Sequence, residues 1–150
     1  MSVIKIIDNG LKAEDLVSLW VAVGFLDDPS KYPLEQAEKA ILNGLFNVIA
    51  VSEGKVIGMG RLVGDGVMYW YLQEICVVPE YQGKGIGKAI VSRLIAYAEQ
   101  HSIPGTRVTV GLMAAKDKEP FYEKFGFCKR PNDGAGCGMT KRLYISDCTR

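Results

Sequence analysis

The sequence predicts an α/β (α+β) protein of one domain, residues 1–150, built on a mixed sheet that is antiparallel in its first half and gains a parallel neighbour through a helical crossover. Three observations lead there. The β-rich runs "FNVIAVSEG", "KVIGMGRLVGDG" and "VMYWYLQEICVV" are joined by turns too short for anything but antiparallel neighbours. A long amphipathic stretch then separates the last run from "RVTVGLM", and a strand, helix, strand crossover normally produces parallel neighbours. A length of 150 residues suits a single core rather than two.

Taken in order, "VIKII" (3–7) is a β-branched run stopped by Asp8, Asn9 and Gly10, a first strand. In "LKAEDLVSLWVAVGF", Leu16, Leu19, Trp20 and Val23 recur at three- and four-residue steps and predict a helix. "DDPSKYP" breaks that period, and "LEQAEKAILNG" is a second amphipathic helix closed by Asn43 and Gly44. After the three strand runs, Ile86, Ile90, Val91, Leu94, Ile95 and Ala98 share one face and predict a helix over 86–101. "RVTVGLM" (107–113) follows as a strand and "EPFYEKFG" as a short helix, and weaker strand signals lie around 126–130 and 139–145. The expected order is β-α-α-β-β-β-α-β-α-β-β, with helices on both faces of the sheet. The sheet changes character beside the turn that opens the 86–101 helix, and clefts form at such places.

Composition excludes several classes of function. With a formal net charge of +1 and 23% charged residues, the chain lacks the basic excess of a dedicated nucleic-acid binder, so no nucleic acid is expected as a partner. No apolar run approaches the roughly 20 residues that span a bilayer, and "MSVIKIIDNG" lacks the layout of a secretory signal, so no membrane partner is expected and the cytoplasm is the expected compartment. Cys76, Cys128, Cys137 and Cys148 form no C-x-x-C pair and His101 has no evident metal partner. Free thiols and no metal are the simplest reading.

The stretch "VVPEYQGKGIGKAI" (77–90) carries the chemistry. A turn at a helix start presents unpaired N–H groups and a partial positive charge, which suits a phosphate. Gly83, Gly85 and Gly87 remove side chains that would hold a phosphate off the backbone, and Lys84 and Lys88 add charge. The P-loop pattern fails, because Gln82 stands at its first glycine and Ala89 at its hydroxyl position. The G-x-G-x-x-G fingerprint fails as well, meeting Ile90 or Lys88 at its last glycine. What fits is [QR]-x-x-G-x-[GA], read as Gln82, Gly83, Lys84, Gly85, Ile86 and Gly87 between a strand and a helix. Together with "PFYEKFGF" (120–127), this resembles the GNAT acetyltransferase superfamily, and the two segments with their flanking elements span about half of the chain.

The resemblance implies a GNAT-like fold and an N-acetyltransferase that takes the acetyl group from acetyl-CoA as cosubstrate. Residues 82–88 would hold the pyrophosphate, and the backbone of Ile75, Cys76 and Val77 would run along the pantetheine arm, one N–H polarising the thioester carbonyl. Tyr122 matches the family's tyrosine, a general acid for the coenzyme A thiolate; a phenol is protonated at neutral pH and can donate there. Packing is the competing role for this segment, and the i, i+4 spacing makes Phe121 and Phe125 the better core pair. For a base, strand alternation puts Glu74 on the apolar face of Met68, Trp70, Leu72, Cys76 and Val78, where a carboxylate is either paired or poised to take a proton. A bulge, frequent in this strand of the family, alters that alternation, and family members often work without a side-chain base.

The acceptor is less legible. Trp20, Phe25, Asp27, Asp28 and Tyr32, with Asp65, Tyr69 and Tyr71, offer aromatic and acidic groups suited to a cationic amine, although Trp20 also has core spacing and Asp27, Asp28 and Pro29 read as a plain turn. A small-molecule amine is the expected acceptor. A protein or peptide N-acetyltransferase and a non-catalytic acetyl-CoA-binding regulatory module stand as alternatives. Homodimers are frequent in the family, and no exposed apolar stripe in the sequence identifies one here.

Overall fold

The computed structural model describes residues 2–147, so Cys148 lies outside the described residues. The chain forms two compact units, Met1–Leu112 and Met113–Arg150. The first contains strands β1 (Ile4–Asp8), β2 (Phe46–Ser52), β3 (Lys55–Gly64), β4 (Tyr69–Val77) and β5 (Thr109–Leu112), with helices α1 (Ala13–Ala22), α2 (Leu34–Asn43) and α3 (Ile86–His101). The strands lie in sequence order. The first four pair antiparallel, and β5 pairs parallel to β4 after the α3 crossover.

Local chemistry sets each reversal. Glu53 and Gly54 between β2 and β3 are both left-handed, at φ +50° and +75°, the twist that a two-residue hairpin turn requires. Between β3 and β4, Asp65 Oδ1 accepts N–H bonds from Val67, Met68 and Tyr69 at 2.8, 2.8 and 2.9 Å. Those donors hold its carboxyl below the ordinary carboxylate value. Asn47, buried on β2, secures the exit of β1: its Oδ1 accepts from Leu11 N at 3.0 Å, while its carbonyl accepts from Asn9 N at 2.8 Å.

Helices cover both faces of the sheet. On one face α1 buries Ala13, Leu16, Val17 and Leu19, which pack with Ala37, Ile49, Met59 and Cys76. On the other, α3 buries Ile86, Ile90, Val91, Leu94 and Ala98. That helix lies close because β3 presents glycine beneath it. A Cβ at Gly60 would meet Ile75 Cδ1 and Ile90 Cγ2 at 2.7 Å and Leu94 Cδ1 at 2.9 Å. No helix among the described residues is long and apolar enough to cross a membrane.

In the second unit, α4 (Glu119–Glu123) begins with Pro120 in its first turn. The Phe121 and Phe125 rings meet at 5.4 Å, the expected i, i+4 pair. The strands expected around 126–130 and 139–145 are not formed. Among the described residues there is only an isolated bridge between Asn132 and Ala135. Leu143, Tyr144 and Ile145 are 71%, 92% and 87% exposed. β-Branched and aromatic residues favour a strand only where a neighbour takes up the backbone groups and one side-chain face is buried.

Candidate active site

The site begins where β4 departs from regular pairing. Its register against β3 runs Arg61 to Gln73 and then Met59 to Cys76, so Glu74 and Ile75 together face Gly60. This is a bulge, and Glu74 carries its strain as a left-handed residue at φ +52°. The bulge corrects the alternation expected from sequence. Ile75 packs over Gly60 on the α3 face, Cys76 packs with the α1 core, and Glu74 is not among Trp70 and Leu72. Its Oε2 instead accepts from Arg61 Nε, and the two side chains are 16% and 9% exposed. The extra residue reverses the facing of everything after it, which strict period-two reading cannot register.

Beyond the bulge, β4 loses its other neighbour. The ladder with β5 ends at Leu72 and Leu112. Residues 73–77 continue as strand, with nothing among the described residues extending β5 beside them. This leaves a short open edge at Ile75, Cys76 and Val77.

The edge feeds the glycine turn. Gln82 Nε2 donates to the Val77 carbonyl at 2.9 Å, tying the turn to the strand end. Gly83 and Gly85 are left-handed at φ +76° and +81°, and a Cβ on either would meet nothing within 4 Å. These glycines are therefore set by backbone conformation and open room, not by packing within the chain. Gly85 is the N-cap of α3 and no side chain caps the helix. The first intrahelical bond is Ala89 N to the Gly85 carbonyl at 3.0 Å, so the N–H groups of Ile86, Gly87 and Lys88 precede it without a helical partner. The Ile86 side chain is buried, leaving its backbone as the group it can offer. Lys88 is exposed. Lys84 lies over the Tyr81 ring, its Nζ 5.1 Å from the centroid, a cation–π contact at the rim.

Around Glu74, burial and charge act together. The Cys76 thiol is pushed up to about 12, first by burial and then by the Glu74 charge. At pH 8 its thiolate fraction is on the order of one in ten thousand. Iodoacetamide is therefore expected to label the exposed Cys128 and Cys137 in the native protein and to reach Cys76 only after unfolding, as peptide mass mapping will show. Tyr32 is also raised, by burial and then by Glu74, with Arg61 opposing. Its ring meets Trp20 edge-on at 5.0 Å.

Two of the carboxylates proposed for amine recognition are used locally. Asp28 Oδ1 accepts from Ser30 N at 3.0 Å and Ser30 Oγ at 2.6 Å, and Asp65 closes the β3 to β4 turn. Phe25 is exposed. Tyr69 and Tyr71 stand parallel on β4, 6.4 Å apart and half exposed. Tyr71 lies over β5, where a Cβ on Gly111 would meet its ring at 2.7 Å. Sequence reasoning missed Arg61, and the signal was present: with helices expected on both faces of the sheet, an arginine inside "VIGMGRLV" falls in the interior and requires a partner. In the second unit, Tyr122 on α4 is half-buried, meeting Phe121 edge-on at 5.0 Å and Phe127 at 6.1 Å.

Residues 44–129 match the family model of the acetyltransferase (GNAT) domain. The chain is 28% identical over 133 residues to the uncharacterized N-acetyltransferase ycf52 of Pyropia yezoensis, covering 86% of this chain and 72% of that one. Among solved structures, a protein of unknown function from meticillin-resistant Staphylococcus aureus superposes with a TM-score of 0.76 at 29% identity, covering 96% of this chain and 99% of the other. A GNAT family acetyltransferase from Streptococcus pneumoniae gives 0.72 at 26% identity, covering 97% and 99%. The mixed sheet with its crossover, the bulged open edge and the uncapped glycine turn agree with these matches: the chain belongs to the GNAT acetyltransferase family.

Proposed function

We propose that this chain moves the acetyl group of acetyl-CoA to the primary amine of a small molecule, by direct attack within a ternary complex. The observation that carries this reading is the succession, within residues 73–88, of an unpaired bulged strand edge and a helix start with left-handed glycines and no cap. Such a start fits a pyrophosphate. The N–H groups of residues 83–88 supply donors, and charge-assisted bonds of this kind are worth about 1.5–3 kcal/mol each. The backbone of Ile75, Cys76 and Val77 holds the pantetheine arm, one N–H donating to the thioester oxygen as it becomes an oxyanion.

Bond changes then follow. The amine nitrogen attacks the thioester carbonyl carbon, a C–N bond forms, and the C–S bond breaks. The amine proton passes to Glu74, directly or through water, and the departing thiolate takes a proton from Tyr122, the tyrosine of the family motif. Glu74 Oε2 is engaged by Arg61, so the proton is taken at Oε1. Tyr32, which feels the Glu74 charge, and Trp20, edge-on against Tyr32, give the acceptor an apolar wall.

Tyr122→Phe tests the chemistry. It is expected to bind coenzyme A within about twofold of wild type by calorimetry and to lower kcat about a hundredfold across a panel of primary amines. Unchanged turnover removes the acid role from Tyr122. A wild type that binds acetyl-CoA but transfers to no amine, peptide or protein lysine returns the chain to a binding module.

A further inference from the structure

Arg61 serves two elements with one planar group. It is 7% exposed, midway along β3. Its Nε donates to Glu74 Oε2 on β4, and its Nη1 donates at 2.8 Å to the Ala40 carbonyl in the last turn of α2. A Cβ on Gly44, the residue that ends α2, would lie 3.3 Å from the same Nη1. α2 carries no basic residue in its own last turn, and Arg61 brings a cation to the Ala40 carbonyl at its negative end.

The bulge is held from both faces. On the α3 side, the absent Cβ of Gly60 leaves the space taken by Ile75, Ile90 and Leu94. On the α1 and α2 side, the guanidinium holds Glu74. A left-handed glutamate is a strained conformation that persists only where its surroundings over-determine it, and these two contacts do so.

We propose that Arg61 is a positioning residue for acetyl transfer: it fixes the bulge through Glu74 and joins it to the end of α2, so that the helical layer bearing Trp20 and Tyr32 and the open edge of β4 behave as one rigid piece. The catalytic half of this rests on the acetyltransferase reading above; the mechanical coupling is a property of the fold and stands or falls separately. In that reading the acceptor lies against the helical layer and the thioester along the strand edge, so the joint sets the approach of the reacting atoms. Misplacement by about 1 Å costs on the order of a hundredfold in rate. Lysine keeps the charge, but as a point charge it lacks the planar fork that serves the carboxylate and the carbonyl together.

Amide NMR spectra of the full chain test the coupling. Glu74→Gln, made on β4, is expected to move the amide resonances of residues 40–44 at the end of α2. The same change in an Arg61→Met background is expected to leave them in place, with Arg61→Lys as the background if Arg61→Met does not fold. Equal shifts in both backgrounds, or none in either, overturn the coupling. For the catalytic half, Arg61→Lys is expected to lower kcat with a panel of primary amines by about ten- to a hundredfold while the KM for acetyl-CoA changes less than about threefold. Unchanged kcat, or a rise in that KM alone, overturns the positioning role. A wild type that binds no acetyl-CoA, or transfers to none of the amines, refutes the functional reading, and the spectra then decide the coupling alone.

Discussion

Gly85→Asp is expected to bind acetyl-CoA at least about a hundredfold more weakly than wild type, equivalent to one or two charge-assisted hydrogen bonds lost, while remaining folded. The position favours a clean outcome. Gly85 is left-handed and faces open room, and aspartate tolerates that conformation better than most residues, at about 1–2 kcal/mol. A carboxylate at a helix N-terminus is itself favoured by the helix dipole, so α3 keeps its start. What changes is the sign of the charge offered to a pyrophosphate. Calorimetry against Gly85→Ala, which carries the backbone strain without the charge, separates repulsion from distortion. Wild-type affinity in the aspartate variant would mean that the turn holds no phosphate.

The largest effect on stability is expected at Arg61. Arg61→Met leaves the Glu74 carboxyl, 16% exposed in its side chain, without its cation, and breaking a largely buried pair from one side costs up to about 3–5 kcal/mol. The double variant Arg61→Met/Glu74→Leu removes the orphan and is expected to recover most of the loss, because a buried ion pair contributes little beyond what well-packed apolar groups provide. Urea unfolding of the single and double variants measures both quantities. A single variant within about 1 kcal/mol of wild type would show that the pair behaves as a surface contact does.

Much of this was legible in sequence, for reasons that differ by element. The meander of β2, β3 and β4 followed from turn lengths, α3 from one unbroken apolar face, and the parallel junction with β5 from the crossover between them. The glycine turn was legible because the chemistry sits in backbone, and Gly83 and Gly85 mark the left-handed positions directly. Glu74 was not placed correctly. A bulge inserts one residue into a period of two, and neither Gln73 nor Glu74 announces it. The sign lay across the ladder, in a glycine followed by an arginine at 60 and 61, and pairwise register is invisible to a pattern read along one strand. The tail strands failed for the complementary reason: Leu143, Tyr144 and Ile145 have the residue types of a strand, and among the described residues no strand pairs with them.

The bulge also bears on what the open edge of β4 can pair with. A strand left open in a sheet is ordinarily a template on which a second polypeptide can lay itself down, the starting point of edge-to-edge association. At residues 73–77 the template is short and its spacing is interrupted by the extra residue at Glu74, so a regularly pleated strand cannot keep register along it. A slender chain with a few amide groups and flexible spacing between them is not bound by that repeat. On the acetyltransferase reading proposed above, an edge that opens where β5 ends and is kinked by the bulge suits a pantetheine-like arm better than another β-strand.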